Sequence, residues 1–113
     1  MKITCEDFGD VTIIRLAGLL NGGTGRDDLR STVADLIHSG RNKVVVDMAK
    51  VPWTNSVGLG NLHFCYLAMK DSGGSFKLTN VSPRIRQILN VSHFDTIFES
   101  YEDVRGALAS FYR

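Results

Sequence analysis

Cysteine is scarce: Cys5 and Cys65 are the two in 113 residues, and neither belongs to a CxxC pair. That count excludes a disulfide framework and a four-cysteine zinc site. An excess of one charge is missing too, since 13 Lys+Arg against 12 Asp+Glu leave a formal +1. Broad binding to nucleic acid or to an anionic membrane needs a basic excess or stripe and is not expected. No apolar run approaches the roughly 20 residues of a membrane span. Glu6 and Asp7 stand where a signal peptide has its apolar core, so a reduced, cytoplasmic protein without membrane insertion is expected. Of the histidines, His38, His63 and His93, none has a metal-ligand or catalytic partner at helical spacing. Neither a metal nor a cofactor is expected. What is present, 43% hydrophobic and 22% charged residues, describes one globular domain over residues 1–113, a monomer or weak dimer. A chain of this size buries roughly two-thirds of its unfolded surface and needs no metal to stay folded.

The apolar period switches between two and 3.6 along the chain, with turn chemistry at each switch. Ile3 and Cys5 alternate with Thr4 and Glu6, and Val11–Leu16 follows the Phe8-Gly9-Asp10 turn. This predicts an antiparallel hairpin. Four glycines between Gly18 and Gly25 predict a loop. From Arg26 the pattern is helical, with Leu29, Val33, Leu36 and Ile37 on one stripe until Ser39-Gly40. The β-branched run Lys43–Met48 predicts a strand covered on both faces. A second helix, with Ser56 expected as its N-cap, carries Leu59, Leu62, Tyr66 and Met69 inward. Phe76–Thr79 predicts a strand, and Ser82-Pro83 opens a third helix. Thr96–Phe98 is expected as a short edge strand. Ser100 is expected to cap a last helix whose stripe is Val104, Ala107, Leu108 and Phe111. The order β-β-α-β-α-β-α-(β)-α predicts an α/β domain: a small mixed sheet with parallel strands after the hairpin and about four packed helices.

Enzyme motifs are incomplete. Gly22-Gly23-Thr24-Gly25 lies between a strand and a helix but lacks the Gly-Lys-Ser/Thr ending of a phosphate loop. Thr54-Asn55-Ser56-Val57-Gly58 resembles half of a nucleophile elbow without its leading glycine, and no base or orienter accompanies Ser56. No catalytic residue is expected. Ser56 is the hydroxyl in an unusual place, at the start of a helix whose first two turns hold Gly58 and Gly60. Each glycine costs up to about 1 kcal/mol against alanine there. Glycines at such positions admit a close approach, by a packed strand or by a docking partner.

These residues carry a resemblance. Val51-Pro52-Trp53-Thr54-Asn55-Ser56-Val57-Gly58-Leu59-Gly60 resembles the hydrophobic-x-Asp-Ser-Ser-Gly-Leu-Gly motif of STAS domains of the anti-sigma-factor antagonist type. Leu16-Ala17-Gly18-Leu19-Leu20-Asn21 is similar to that family's Leu-x-Gly-x-Leu-Asp. Val44–Met48, Gly73–Leu78 and Val81–Leu89 match its third strand, its glycine-led strand and its Ser-Pro helix, in order. The resemblance spans the chain and implies a single STAS-like domain. It also implies that Ser56 is a phosphoacceptor. An anti-sigma factor that is also a serine kinase would bind the unphosphorylated domain and modify it. A metal-dependent serine phosphatase would restore it. The implied docking surface is Asn21, Thr24, Trp53, Thr54, Asn55, Val57 and Gly58, with Trp53 either an anchor or a core residue. Three positions depart from the family: Asn55 and Asn21 stand for aspartates, and Val57 for the second serine. The alternative is a STAS scaffold that works without phosphorylation, in a sensor or a lipid-transport complex.

Overall fold

In a computed structural model that describes residues 1–21 and 26–112, strands β1 (Lys2–Phe8) and β2 (Val11–Ala17) form the hairpin. They pair antiparallel from Lys2 opposite Ala17 to Phe8 opposite Val11, and Gly9 takes the positive φ of +62° that the tight turn requires. Helix α1 (Arg26–His38) leads to β3 (Lys43–Lys50), and α2 (Ser56–Asp71) to β4 (Ser75–Thr79). Then come α3 (Pro83–Val91), a 3-10 turn (Phe94–Thr96), β5 (Glu99–Tyr101) and α4 (Val104–Ser110). The sheet order is β1-β2-β3-β4-β5, antiparallel at the hairpin and parallel thereafter.

Strand alternation divides the interior in two. Ile14 and Leu16 of β2 and Val44, Val46 and Met48 of β3 face the larger core, with Leu29 and Val33 of α1, Leu59, Leu62 and Met69 of α2, and Ile85 and Leu89 of α3. Val11 and Val45 face the other way, onto Ala107 of α4. The all-apolar run of β3 is thus covered on both faces, as its composition requires. Lys77 points to the α4 side from β4 and is 7% exposed. Its Nζ donates to Ser110 Oγ (2.6 Å), lies 3.1 Å from Glu99 and sits 3.8 Å from the centre of the Phe111 ring.

Two expectations are corrected. Thr96–Phe98 is not the edge strand, which lies at Glu99–Tyr101 against Lys77–Thr79. The Phe98 side chain plugs the core instead, 5.6 Å from Tyr66 and 5.9 Å from Phe94 between ring centres, while the Ile97 and Phe98 amides turn back to Phe94 O. Ser100 does not cap α4, because it is held in that strand and its Oγ accepts from Arg86. Asp103 is the cap, accepting from the Gly106 amide at 2.8 Å.

Candidate functional site

Two connectors run side by side at one end of the parallel strands. After β2, the Gly18 amide donates to Lys50 O (3.0 Å) and the Leu20 amide to Trp53 O (3.2 Å). Leu20 then pairs with Thr54 as an isolated parallel bridge. The Thr54 hydroxyl donates to Leu20 O at 2.6 Å, which satisfies a group that is 1% exposed. Gly58, in the first turn of α2, faces the same carbonyl: a Cβ there would meet Leu20 O at 2.0 Å. The close approach foreseen at Gly58 is made by the protein's own chain. Gly60 differs, since among the described residues a Cβ there would meet nothing within 4 Å.

The helix start also departs from expectation. Asn55, not Ser56, is the N-cap of α2: its backbone is extended (φ −122°, ψ −177°) and its side chain accepts from the Gly58 amide at 2.8 Å. Once the bridge fixes Thr54, the chain turns helical at residue 56, so the side chain in reach of the free amides belongs to residue 55. Ser56 is the first helical residue and is exposed. Its hydroxyl is left without the capping duty that sequence reading gave it. The first turn holds no acid, so the positive end of the helix dipole is uncompensated by a side chain there.

The other residues of the expected surface separate. Asn21 and Val57 are exposed, Val57 at 53%. Asn55 and Trp53 are half-buried, and Trp53 borders a cleft of about 380 Å³ with Arg84, Gln87, Ile88, Val91 and Ser92. Trp53 therefore lies outside the buried core, as one wall of a groove against α3. Thr54 and Gly58 are buried, and as direct docking contacts both are corrected: they hold the two connectors together beneath the surface. Thr24 lies outside the described residues. Sequence reading missed Leu20, whose carbonyl is the centre of this clasp, and Asn61, which is 1% exposed and accepts from Arg30 Nε at 2.7 Å. The available signal for Asn61 was its place four residues before Cys65, which puts both on one side of the helix.

Covalent catalysis at Ser56 finds no support in this geometry. His63, on the same helix, lies seven residues on, about 10 Å along the axis, and its ring stacks among Tyr66, Phe94 and Phe98. His38 is bound to Ala34 O at the far end of α1. Burial pushes the Cys65 thiol up to about 11, so it is not a nucleophile. Among the described residues, no group of three His, Cys, Asp or Glu side chains could hold a metal ion. Among them, too, no helix is long and apolar enough to cross a membrane. The arrangement offers an exposed hydroxyl on a rigidly braced helix start.

Residues 2–107 match the family model of the STAS domain. BtrV of Bordetella bronchiseptica, provisionally named an anti-sigma factor antagonist, is 24% identical over 111 residues, 98% of this chain and 95% of its own. An anti-sigma factor antagonist from Mycobacterium paratuberculosis shares the fold with a TM-score of 0.85 at 20% identity, over 99% of this chain and 94% of that one. So does the Bacillus cell fate determinant SpoIIAA in its phosphorylated form, with a TM-score of 0.75 at 18% identity over 99% and 100%.

Proposed function

The chain belongs to the STAS domain family, and from that premise we propose that it is an anti-sigma factor antagonist, a binding module switched by phosphate on Ser56. The unmodified domain docks on an anti-sigma factor that is also a serine kinase, in the cytoplasm. That kinase transfers the γ-phosphoryl group of ATP to Ser56 Oγ: the new bond is O–P, ADP leaves, and the hydroxyl proton passes to a base of the kinase. A metal-dependent serine phosphatase hydrolyses the ester and resets the module. The observation that carries this reading is the division of labour at the helix start. Asn55 takes the cap, so the exposed Ser56 hydroxyl is modified without removing a hydrogen bond that the helix needs. Relatives named for anti-sigma factors, one solved in a phosphorylated form, support the same reading.

Phosphate adds about −1.5 to −2 at neutral pH, enough to carry this +1 chain to roughly −1. The dipole of α2 stabilises that charge in place, so modification leaves the fold intact and acts on what docks. Asn55 is neutral where the family has an aspartate, which removes one source of repulsion. Asn21, Val57, Asn55 and the Trp53 groove are the proposed docking surface, with Thr24 proposed from the motif alone. Incubation with the kinase partner and ATP, followed by mass spectrometry, is expected to place one phosphate on Ser56 and none on Ser56→Ala. An unmodified Ser56, or full modification of the Ala variant, overturns the switch and favours a scaffold that works without phosphorylation.

A further inference from the structure

The sheet has two edges, and they differ. β5 is a strand of three residues, whereas β1 runs for seven and pairs on one side only, with β2. A very short edge is protected against pairing with another chain, as is one broken by proline or a bulge. β1 has neither protection: its register is unbroken from Lys2 to Phe8, and the segment holds no proline or glycine. All of its residues but the half-buried Ile3 are exposed, so both faces of the strand are open to a neighbour. Phe8 and Val11 close the hairpin across a two-residue loop, which makes them a hydrogen-bonded pair. By alternation Glu6, Thr4 and Lys2 also direct their backbone groups to β2, and Asp7, Cys5 and Ile3 direct theirs outward.

The charges on this edge decide what pairs with it. Lys2 makes no ion pair among the described residues. Glu6 meets Arg15 through Oε1 at 2.6 Å and leaves its side chain 62% exposed. Lys2, Thr4 and Glu6 share one face of the strand. Asp7 is held within its own chain, 3.1 Å from the Thr12 hydroxyl and 3.0 Å from Arg41. Two copies of one edge strand meet antiparallel about a two-fold axis that passes beside one residue and keeps each face of the sheet continuous. With Thr4 on that axis, Lys2 of each copy stands opposite Glu6 of the other. Ile3 then stands opposite Cys5, as a pair whose outward backbone groups bond. With Cys5 on the axis, Lys2 faces Phe8 and Glu6 faces Thr4; with Glu6 on it, two carboxylates face each other. We propose that β1 is a self-association edge: two copies of this chain pair antiparallel, centred on Thr4, and join their sheets into one. One strand pair covers less than the about 800 Å² that each partner gives to a standard interface, so the dimer is weak, with a dissociation constant on the order of 0.1 mM. The edge lies two strands from β3, which leads to Ser56, and the pairing does not depend on the function proposed above.

The test is sedimentation equilibrium of the purified chain from about 10 μM to about 1 mM, for wild type, Cys5→Pro, Lys2→Glu and Glu6→Lys. Wild type is expected to pass from monomer to dimer over this range. Cys5→Pro removes an N–H that faces solvent in the monomer, so it is expected to melt cooperatively and to pair at least about tenfold more weakly. Lys2→Glu and Glu6→Lys each set like charges opposite one another at both ends of the contact. Each alone is expected to pair at least about fivefold more weakly. Mixed in equal amounts, the two restore both ion pairs, and the mixture is expected to associate as wild type does. A wild type that stays monomeric, undiminished pairing in Cys5→Pro, or a mixture that associates no better than its components overturns the proposal. If Cys5→Pro does not fold, the two charge variants and their mixture decide it.

Discussion

Replacing Gly58 by alanine sets helix propensity against tertiary packing within one turn. In an isolated helix the change gains up to about 1 kcal/mol. Here the added Cβ meets Leu20 O at 2.0 Å, Thr54 Oγ1 at 2.5 Å and the Leu20 carbonyl carbon at 2.7 Å, where ordinary contact begins at 3.4 Å. Two of those atoms are backbone and the third is a buried hydroxyl, so none swings away. Either the Leu20 connector or the helix start has to move by roughly 1 Å or more, an overpacking cost of about 1–3 kcal/mol. The same movement breaks the 2.6 Å bond from Thr54 to Leu20, and an unsatisfied buried hydroxyl costs about 1–3 kcal/mol more. The net loss is about 1–5 kcal/mol after the propensity gain. Gly60→Ala, two residues on, is the matched control, because its Cβ meets nothing among the described residues and the whole propensity gain of about 1 kcal/mol survives. Urea unfolding of both variants with an unchanged slope reads the difference directly. In thermal melts Gly58→Ala is expected about 10 °C below wild type and Gly60→Ala a few degrees above. Equal midpoints, or a Gly58→Ala variant at least as stable as wild type, would refute the claim that Leu20 is what excludes a side chain at residue 58.

The capping assignment separates two neighbours: Asn55→Ala is expected to cost about 1 kcal/mol, and Ser56→Ala less than about 0.5 kcal/mol, in urea midpoints. The opposite order would return the cap to Ser56. Asn55→Asp keeps the acceptor and adds a favourable charge at the helix start, so its stability is expected to match or exceed wild type. The third prediction concerns acid. The Tyr101 hydroxyl and Lys77 hold the Glu99 carboxyl below its ordinary value of 4.5. A lowered folded value means a contribution present above pH 4.5 and lost as pH falls through that lower value. Glu99 is about half exposed, so the effect is small and screened. Urea midpoints measured from pH 7 to pH 3 are expected to fall less for Glu99→Gln than for wild type; parallel curves would exclude the pair as an acid-sensitive contact.

Much of the architecture was legible because it rests on local chemistry. The Val44-Val45-Val46 run signals a strand covered on both faces, and Val45 indeed faces α4 while its neighbours face the main core. Ser82-Pro83 marks a helix start by a cap and a fixed φ, and Ser82 accepts from the Ile85 amide. The errors fall where two local solutions are nearly equal in energy. Asn55 and Ser56 are both good caps, as are Ser100 and Asp103. Phe98 suits a strand as well as a core plug. In each case a contact distant in sequence breaks the tie: Thr54 with Leu20 at a separation of 34 residues, and β5 with β4.

By itself, then, the sequence determined the element order and the two apolar faces of the sheet. Periodicity, turn residues and the serine-glycine motif are properties of short segments, whose preferences survive folding. Only the tertiary structure decided which hydroxyl is free. Parallel pairing brought Leu20 to Thr54, and that contact buried Thr54, demanded glycine at 58 and gave the cap to Asn55. Ser56 was thereby left exposed and unemployed at the helix start. A side chain's availability depends on what its neighbours in space already satisfy, and those neighbours are chosen by the fold.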